Sequence, residues 1–153
     1  MSESIRADAL RAAAVLCDVC AGALLRNVDE DVLKLFVEGR DAFLHEPFVS
    51  VSPDDARVIV DELARGDGNA DSFDALFHDL RRDYTHLFYM VAVSGASPYE
   101  SAWRTEDRTL CGPFMHEVRA MYRLYGVEVS MESSVPDDHL GLELAFASDL
   151  LSR

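Results

Sequence analysis

Hydrophobic residues recur along this chain at mixed three- and four-residue spacings, almost from end to end. Residues 4–26 place Ile5, Ala9, Ala12, Ala13, Leu16, Cys20, Ala23 and Leu24 on one stripe of a 3.6-residue period, which predicts a first helix. A second is expected after Asn27-Val28-Asp29, with Val32, Leu33, Phe36, Val37 and Phe43 facing inward and His45-Glu46-Pro47 closing the stretch. Ser52-Pro53-Asp54-Asp55 is a start signal. The serine can cap a free backbone N–H, proline suits the first turn, and the acids favour the positive end of the helix dipole. That helix should run to Arg65 and end at Gly66-Asp67-Gly68-Asn69.

The clearest period spans residues 70–91, with Phe73, Leu76, Phe77, Leu80, Tyr84, Leu87 and Phe88 on one face. From Ser94 to Thr105 the period disappears. It returns over 106–125, interrupted near Cys111-Gly112-Pro113, with Val118, Met121, Tyr122 and Tyr125 inward and Gly126 as the C-cap. A loop from Val127 to Val135 precedes a last helix expected from Pro136 onward, where Ser134 and Asp137 have capping-box spacing. No period-2 alternation is long enough for a sheet, so the expected fold is an all-α, single-domain helical bundle over residues 1–153, with a hinge-like loop at 94–105.

Composition narrows the partners. With 49% apolar and 27% charged residues the chain is globular rather than disordered. Its net charge of -14 repels phosphate backbones and anionic lipid, so neither nucleic acid nor a membrane surface is expected as a partner. The same charge would draw in a basic peptide, or would simply keep the protein soluble. The N-terminus lacks a basic start followed by an apolar run, and no window approaches the ~18 apolar residues of a membrane span. A cytoplasmic protein with three free cysteines is expected.

Familiar catalytic patterns are absent. Cys17-x-x-Cys20 has no second ligand pair for zinc, and both cysteines read as buried small apolar residues on a helix face. His116-Glu117 begins a zinc-protease motif, but Ala120 stands where the second histidine belongs. No glycine-rich phosphate loop occurs, so no cofactor, metal or catalytic residue is assigned. Asp138 and His139, if both helical, would point about 100° apart, and the aspartates read equally as charges on a helix N-terminus. Residues 94–105 hold Tyr99 and the single tryptophan, Trp103. They form either a recognition surface or a loop whose aromatics dock on the bundle.

Several segments, in order, resemble the TorD/DmsD/NarJ family of redox-enzyme maturation chaperones. Tyr84-Thr-His-Leu87-Phe88 is similar to the family's aromatic-x-x-Leu-Phe element, and Pro98-Tyr99-Glu100-Ser101-Ala102-Trp103 to its Pro-x-Glu-Ser-x-aromatic linker. Glu117 to Tyr122 and Gly126 are similar to the segment that follows, and Pro136-Asp137-Asp138-His139-Leu140 to the Asp-His motif. The similarity covers roughly residues 70–147. Val135 departs from relatives that carry an acid before the proline.

This resemblance implies a non-enzymatic cytoplasmic chaperone. Its partners would be the twin-arginine leader peptide and the apo-form catalytic subunit of a molybdopterin oxidoreductase. Tyr84, Leu87, Phe88, Tyr99, Ser101 and Trp103 would supply contact surface, and Pro136, Asp138 and His139 would frame the polar side. Glu100 and Asp138 would meet guanidinium groups, and His139 would donate to the leader or fix its own loop. The family usually continues for further helices beyond the position of Leu150-Leu151-Ser152-Arg153. The resemblance therefore also implies a truncated chain, a shortened variant, or a homodimer completed by exchanged segments. Two rivals stand beside it. One is a small enzyme or nucleotide-binding protein using Asp138 and His139 with His86 or His116. The other is a structural helical adaptor. The adaptor and the chaperone differ in whether residues 84–103 and 136–139 meet in space.

Overall fold

A computed structural model describes residues 2–89, 97–104, 106, 112–129 and 135–153, and every structural statement below concerns those residues. Eight α-helices are present: α1 (Ser2–Leu25), α2 (Glu30–Glu38), α3 (Phe48–Val51), α4 (Pro53–Ala64), α5 (Ala70–Phe88), α6 (Ser101–Arg104), α7 (Pro113–Leu124) and α8 (Leu140–Ser152). A 3-10 turn, Arg40–Leu44, lies between α2 and α3. The fold is an all-α bundle, as the periodicity predicts.

Local capping explains where the helices start. Asp29 accepts the amides of Asp31 and Val32 to open α2, and Ser52 accepts that of Asp55 to open α4. Asn69 and Ser72 exchange side-chain and backbone bonds in a capping box that opens α5. Gly126 takes φ +74°, a left-handed conformation that favours glycine, just past α7.

The main core gathers Leu33 and Val37 of α2, Phe43 of the 3-10 turn, Leu63 of α4 and Leu76 of α5. Val19, Val28, Phe48 and Phe73 pack against it. Met121 of α7 and Tyr125 just after it, expected inward, are exposed, as are Val32 and Phe36 of α2. On a nine-residue helix the apolar arc is wider than the contact the core can offer, and only Leu33 and Val37 reach it.

A second layer forms on α8. It lies along α1 more extensively than any other pair of helices packs, and Ser148 Oγ donates to the Ala14 carbonyl at 3.0 Å. Phe146 of α8 meets the Tyr122 and Tyr125 rings of α7 at 4.8 and 5.8 Å. The expected burial of the cysteine pair is corrected at one position: Cys17 is half-buried, but Cys20 is exposed on α1. Cys111 and Ser134 lie outside the described residues, as do residues 94–96 and 105 of the expected hinge.

The last helix begins later than expected. Residues 136–139 are not its first helical turn but a separate tight turn, closed by the His139 N–H on the Pro136 carbonyl, and α8 opens at Leu140 with an extended His139 as its cap. The whole apolar run that suggested helix belongs to residues after Leu140. Pro136 and the two aspartates carry no periodic signal to contradict either reading.

Candidate functional site

The segment before α6 and the segment before α8 are clasped together by backbone bonds. The Glu100 N–H donates to the Asp138 carbonyl at 2.9 Å, and the Leu140 N–H donates to the Pro98 carbonyl at 2.7 Å. Between these bonds Tyr99 and His139 form a single antiparallel bridge. Their rings also meet edge to face, 5.1 Å apart at 83°.

Side chains fix the clasp. Asp138 is 0% exposed, and its Oδ2 accepts the Ser101 N–H at 3.0 Å. Ser101 is likewise 0% exposed. The Asp138 carboxylate thereby caps the start of α6, where a free backbone N–H would otherwise be buried. His139 is 5% exposed, and its Nδ1 accepts the Gly141 N–H at 3.0 Å, which caps α8. An accepting Nδ1 requires the neutral ring with its proton on Nε2. Burial, the larger effect, lowers the His139 pKa, opposed by the Asp138 charge.

Asp137 is also buried. It pairs with Arg119 of α7, and its carbonyl accepts the Tyr122 hydroxyl at 3.0 Å. Burial, and then the charges of Glu143, Asp137, Asp138 and Glu100, push the Tyr122 pKa upward. Glu143, one turn into α8, has its own pKa raised by burial first and then by Glu100 and Asp138. Oδ1 of Asp138 and Oε1 of Glu143 are buried without a hydrogen-bond partner among the described residues.

The start of α8 sits tightly against the end of α1. A Cβ built on Gly141 would lie 2.7 Å from Leu25 Cγ, so a side chain does not fit there without movement. The neighbouring Leu24 carbonyl accepts the Tyr84 hydroxyl at 2.8 Å, which ties the end of α5 to the same corner. Phe88 packs against Tyr84 at 4.8 Å. Burial, followed by the nearby Tyr89 and Tyr99, raises the Tyr84 pKa.

The anticipated residues thus fall into two groups. Ser101, Asp138 and His139 are buried and spent on backbone bonds, with Pro136 half-buried beside them; the Pro136 carbonyl accepts the His139 N–H at 3.1 Å. Tyr84, Phe88, Tyr99 and Glu100 are half-buried, while Leu87 (48%) and Trp103 (58%) are open. Trp103 is not loose, since its indole N–H donates to the Ser97 carbonyl at 2.7 Å. Residues 97–103 and 136–141 meet directly, and Tyr84 reaches them through the end of α1.

Sequence reasoning gave no site role to Pro98, Asp137, Arg119, Gly141 or Glu143, although the first three lie within the motifs that resemble the family. Arg119 and Tyr122, three apart on α7, share one face and reach Asp137 together, a spacing visible in the sequence. An apolar cleft of about 360 Å³ opens beside them, between α7 and α8, with Tyr122, Val127, Leu142 and Phe146 among its walls. Among the described residues no cluster of histidine, cysteine or acidic side chains is arranged to hold a metal ion. No helix there is long and apolar enough to cross a membrane.

Comparison with known proteins gives the family. The family profile described as "Nitrate reductase delta subunit" matches residues 54–153, which include α4 to α8 and the whole clasp. This chain belongs to that family. The chain is also 35% identical over 75 residues to "Chaperone protein TorD" of Vibrio vulnificus, covering 49% of this chain and 35% of the relative. A protein of the same name from Photobacterium profundum is 30% identical over 73 residues, 48% of this chain and 34% of the relative. The match therefore spans about a third of each curated relative's length. No solved structure matches the chain significantly.

Proposed function

We propose that this protein is a cytoplasmic chaperone for maturation of a redox enzyme. It binds the twin-arginine leader of a molybdopterin oxidoreductase subunit, together with the apo-form of that subunit, and withholds the leader from export until the cofactor is inserted. The observation that carries this reading is the clasp between residues 98–101 and 138–140, which fixes the segment bearing Tyr99, Glu100 and Trp103 and sets Tyr99 near Tyr84, on which Phe88 packs. The curated relatives named as chaperones support the class.

The chemistry fits such a ligand. A leader of this kind offers guanidinium groups followed by an apolar run. Half-buried Glu100 suits the former, and the aromatic wall and the neighbouring cleft suit the latter. A net charge of -14 favours encounter with a basic segment. Asp138 and His139 act from behind, by holding the presenting loop in place.

That commitment also weighs against the enzymatic alternative. A general base needs a free lone pair facing a substrate, whereas Nδ1 of His139 is occupied by a backbone amide and Asp138 has no solvent access. His86 and His116 are exposed on α5 and α7. Photo-crosslinking from position 103 tests the location: a leader peptide should be captured there and not from the exposed Val58 on α4. Equal capture at both positions would reject the site.

A further inference from the structure

Glu100 already holds a guanidinium. Arg104, one turn later, places its NH1 2.9 Å from Glu100 Oε1. The same guanidinium lies over the Phe114 ring of α7, with Cζ 4.3 Å from the centroid. The Glu100 backbone is itself fixed by the Asp138 carbonyl, so the carboxylate is presented from the clasp rather than from a free loop.

We infer that Glu100 and Phe114 form a guanidinium seat, and that Arg104 occupies it as an internal stand-in for an arginine of the client. The occupant's identity rests on the leader-binding reading above; the seat rests only on the geometry. A carboxylate edge with an aromatic face matches a planar guanidinium far better than a compact ammonium. The seat should therefore select arginine over lysine.

Arg104 is well suited to be displaced. Both members of the ion pair are partly exposed, at 50% and 32% of their side chains, and exposed pairs and cation-ring contacts are individually weak. Tethering nevertheless gives Arg104 a high local concentration at the seat, on the order of millimolar or above. A lone guanidinium in solution competes poorly with it. A client arginine delivered by a peptide that is also held by the aromatic wall competes well. The result is a threshold: basic peptides lacking the remaining contacts are kept out.

The experiment uses Arg104→Ala and Arg104→Gln, each first shown by circular dichroism to melt as a folded protein. Trp103, the single tryptophan and the immediate neighbour of Arg104, reports binding by fluorescence. Ethylguanidinium is the first probe, at millimolar concentration. It should change the fluorescence of the two variants and not of the native protein, and the change should vanish when Glu100→Gln is added. Folded variants that show no response would overturn the seat, whatever the leader does.

The second probe is the twin-arginine leader of an oxidoreductase encoded beside this protein. Its affinity should rise about three- to tenfold in Arg104→Ala, the loss of a weak tethered competitor. A leader with both arginines replaced by lysine should show no gain. Equal leader affinity in native and variant proteins would overturn the stand-in role of Arg104. Ethylguanidinium binding in the variants without leader binding in any protein would uphold the seat and reject the leader as its ligand.

Discussion

Asp138 and Ser101, 37 residues apart in sequence, meet through a hydrogen bond from the Ser101 N–H to Asp138 Oδ2 at 3.0 Å, in a position closed to solvent. This contact converts two short motifs into one object. It also gives Asp138 a positioning role, since its fully buried carboxylate orders the backbone of the partner segment and does not face solvent.

Removing that carboxylate should therefore damage the fold before it damages recognition. Asp138→Ala orphans the buried Ser101 N–H and is expected to cost about 1–3 kcal/mol in denaturant unfolding. Asp138→Asn keeps an acceptor of the same size without burying a charge, and should cost clearly less. Equal losses for the two variants would contradict the capping role.

His139 makes stability depend on pH. Its folded pKa is lowered from 6.5 by burial, so the neutral ring is favoured in the fold. The unfolded chain then binds the extra proton first. The stabilisation is complete above about pH 6.5 and is lost as pH falls from there toward the lower folded pKa. Protonation also removes the acceptor at Nδ1 that caps α8. Melting curves between pH 5 and 8 should fall on the acid side of this range, and His139→Asn, which keeps a capping acceptor, should flatten that fall.

Glu143 has the opposite sign. Its folded pKa is raised above 4.5 by burial and by the charges of Glu100 and Asp138. The stabilisation from its proton is present below about pH 4.5 and is lost as pH rises through the raised value. At neutral pH the ionised group costs stability, so Glu143→Gln should raise the melting temperature by a few degrees. The gain should shrink in acid.

Gly141 reports the packing of α8 on α1. A methyl group there meets Leu25 Cγ at 2.7 Å, and overpacking of this kind costs about 1–3 kcal/mol. Gly141→Ala should lose stability in that range, and Leu25→Ala should recover part of it in the double variant. Additive losses would show that the two residues do not share the contact.

The helices were legible because burial repeats with their period. Leu33, Val37 and Leu76 each stand where a 3.6-residue stripe puts them, and Ser52 and Asp29 announce their helices by capping chemistry. The clasp was not legible from pattern. It consists of one bridge and two backbone bonds, Glu100 to Asp138 and Leu140 to Pro98, which need no particular side chains and leave no alternation. The late start of α8 was hidden for a related reason. An imidazole at His139 does the capping usually done by serine or aspartate, and nothing in residues 136–139 separates a first helical turn from an isolated tight turn. Composition marked Tyr99 and Trp103 as a candidate surface, but only the resemblance of the ordered motifs joined that loop to residues 136–139.

Calorimetric titration of the protein with a twin-arginine leader peptide, beside the same peptide carrying two lysines, tests the central claim most directly. Micromolar or tighter binding, at least tenfold weaker for the lysine peptide and weakened again by Glu100→Gln, is the expected result. No binding, or binding indifferent to the arginines and to Glu100, would contradict the account.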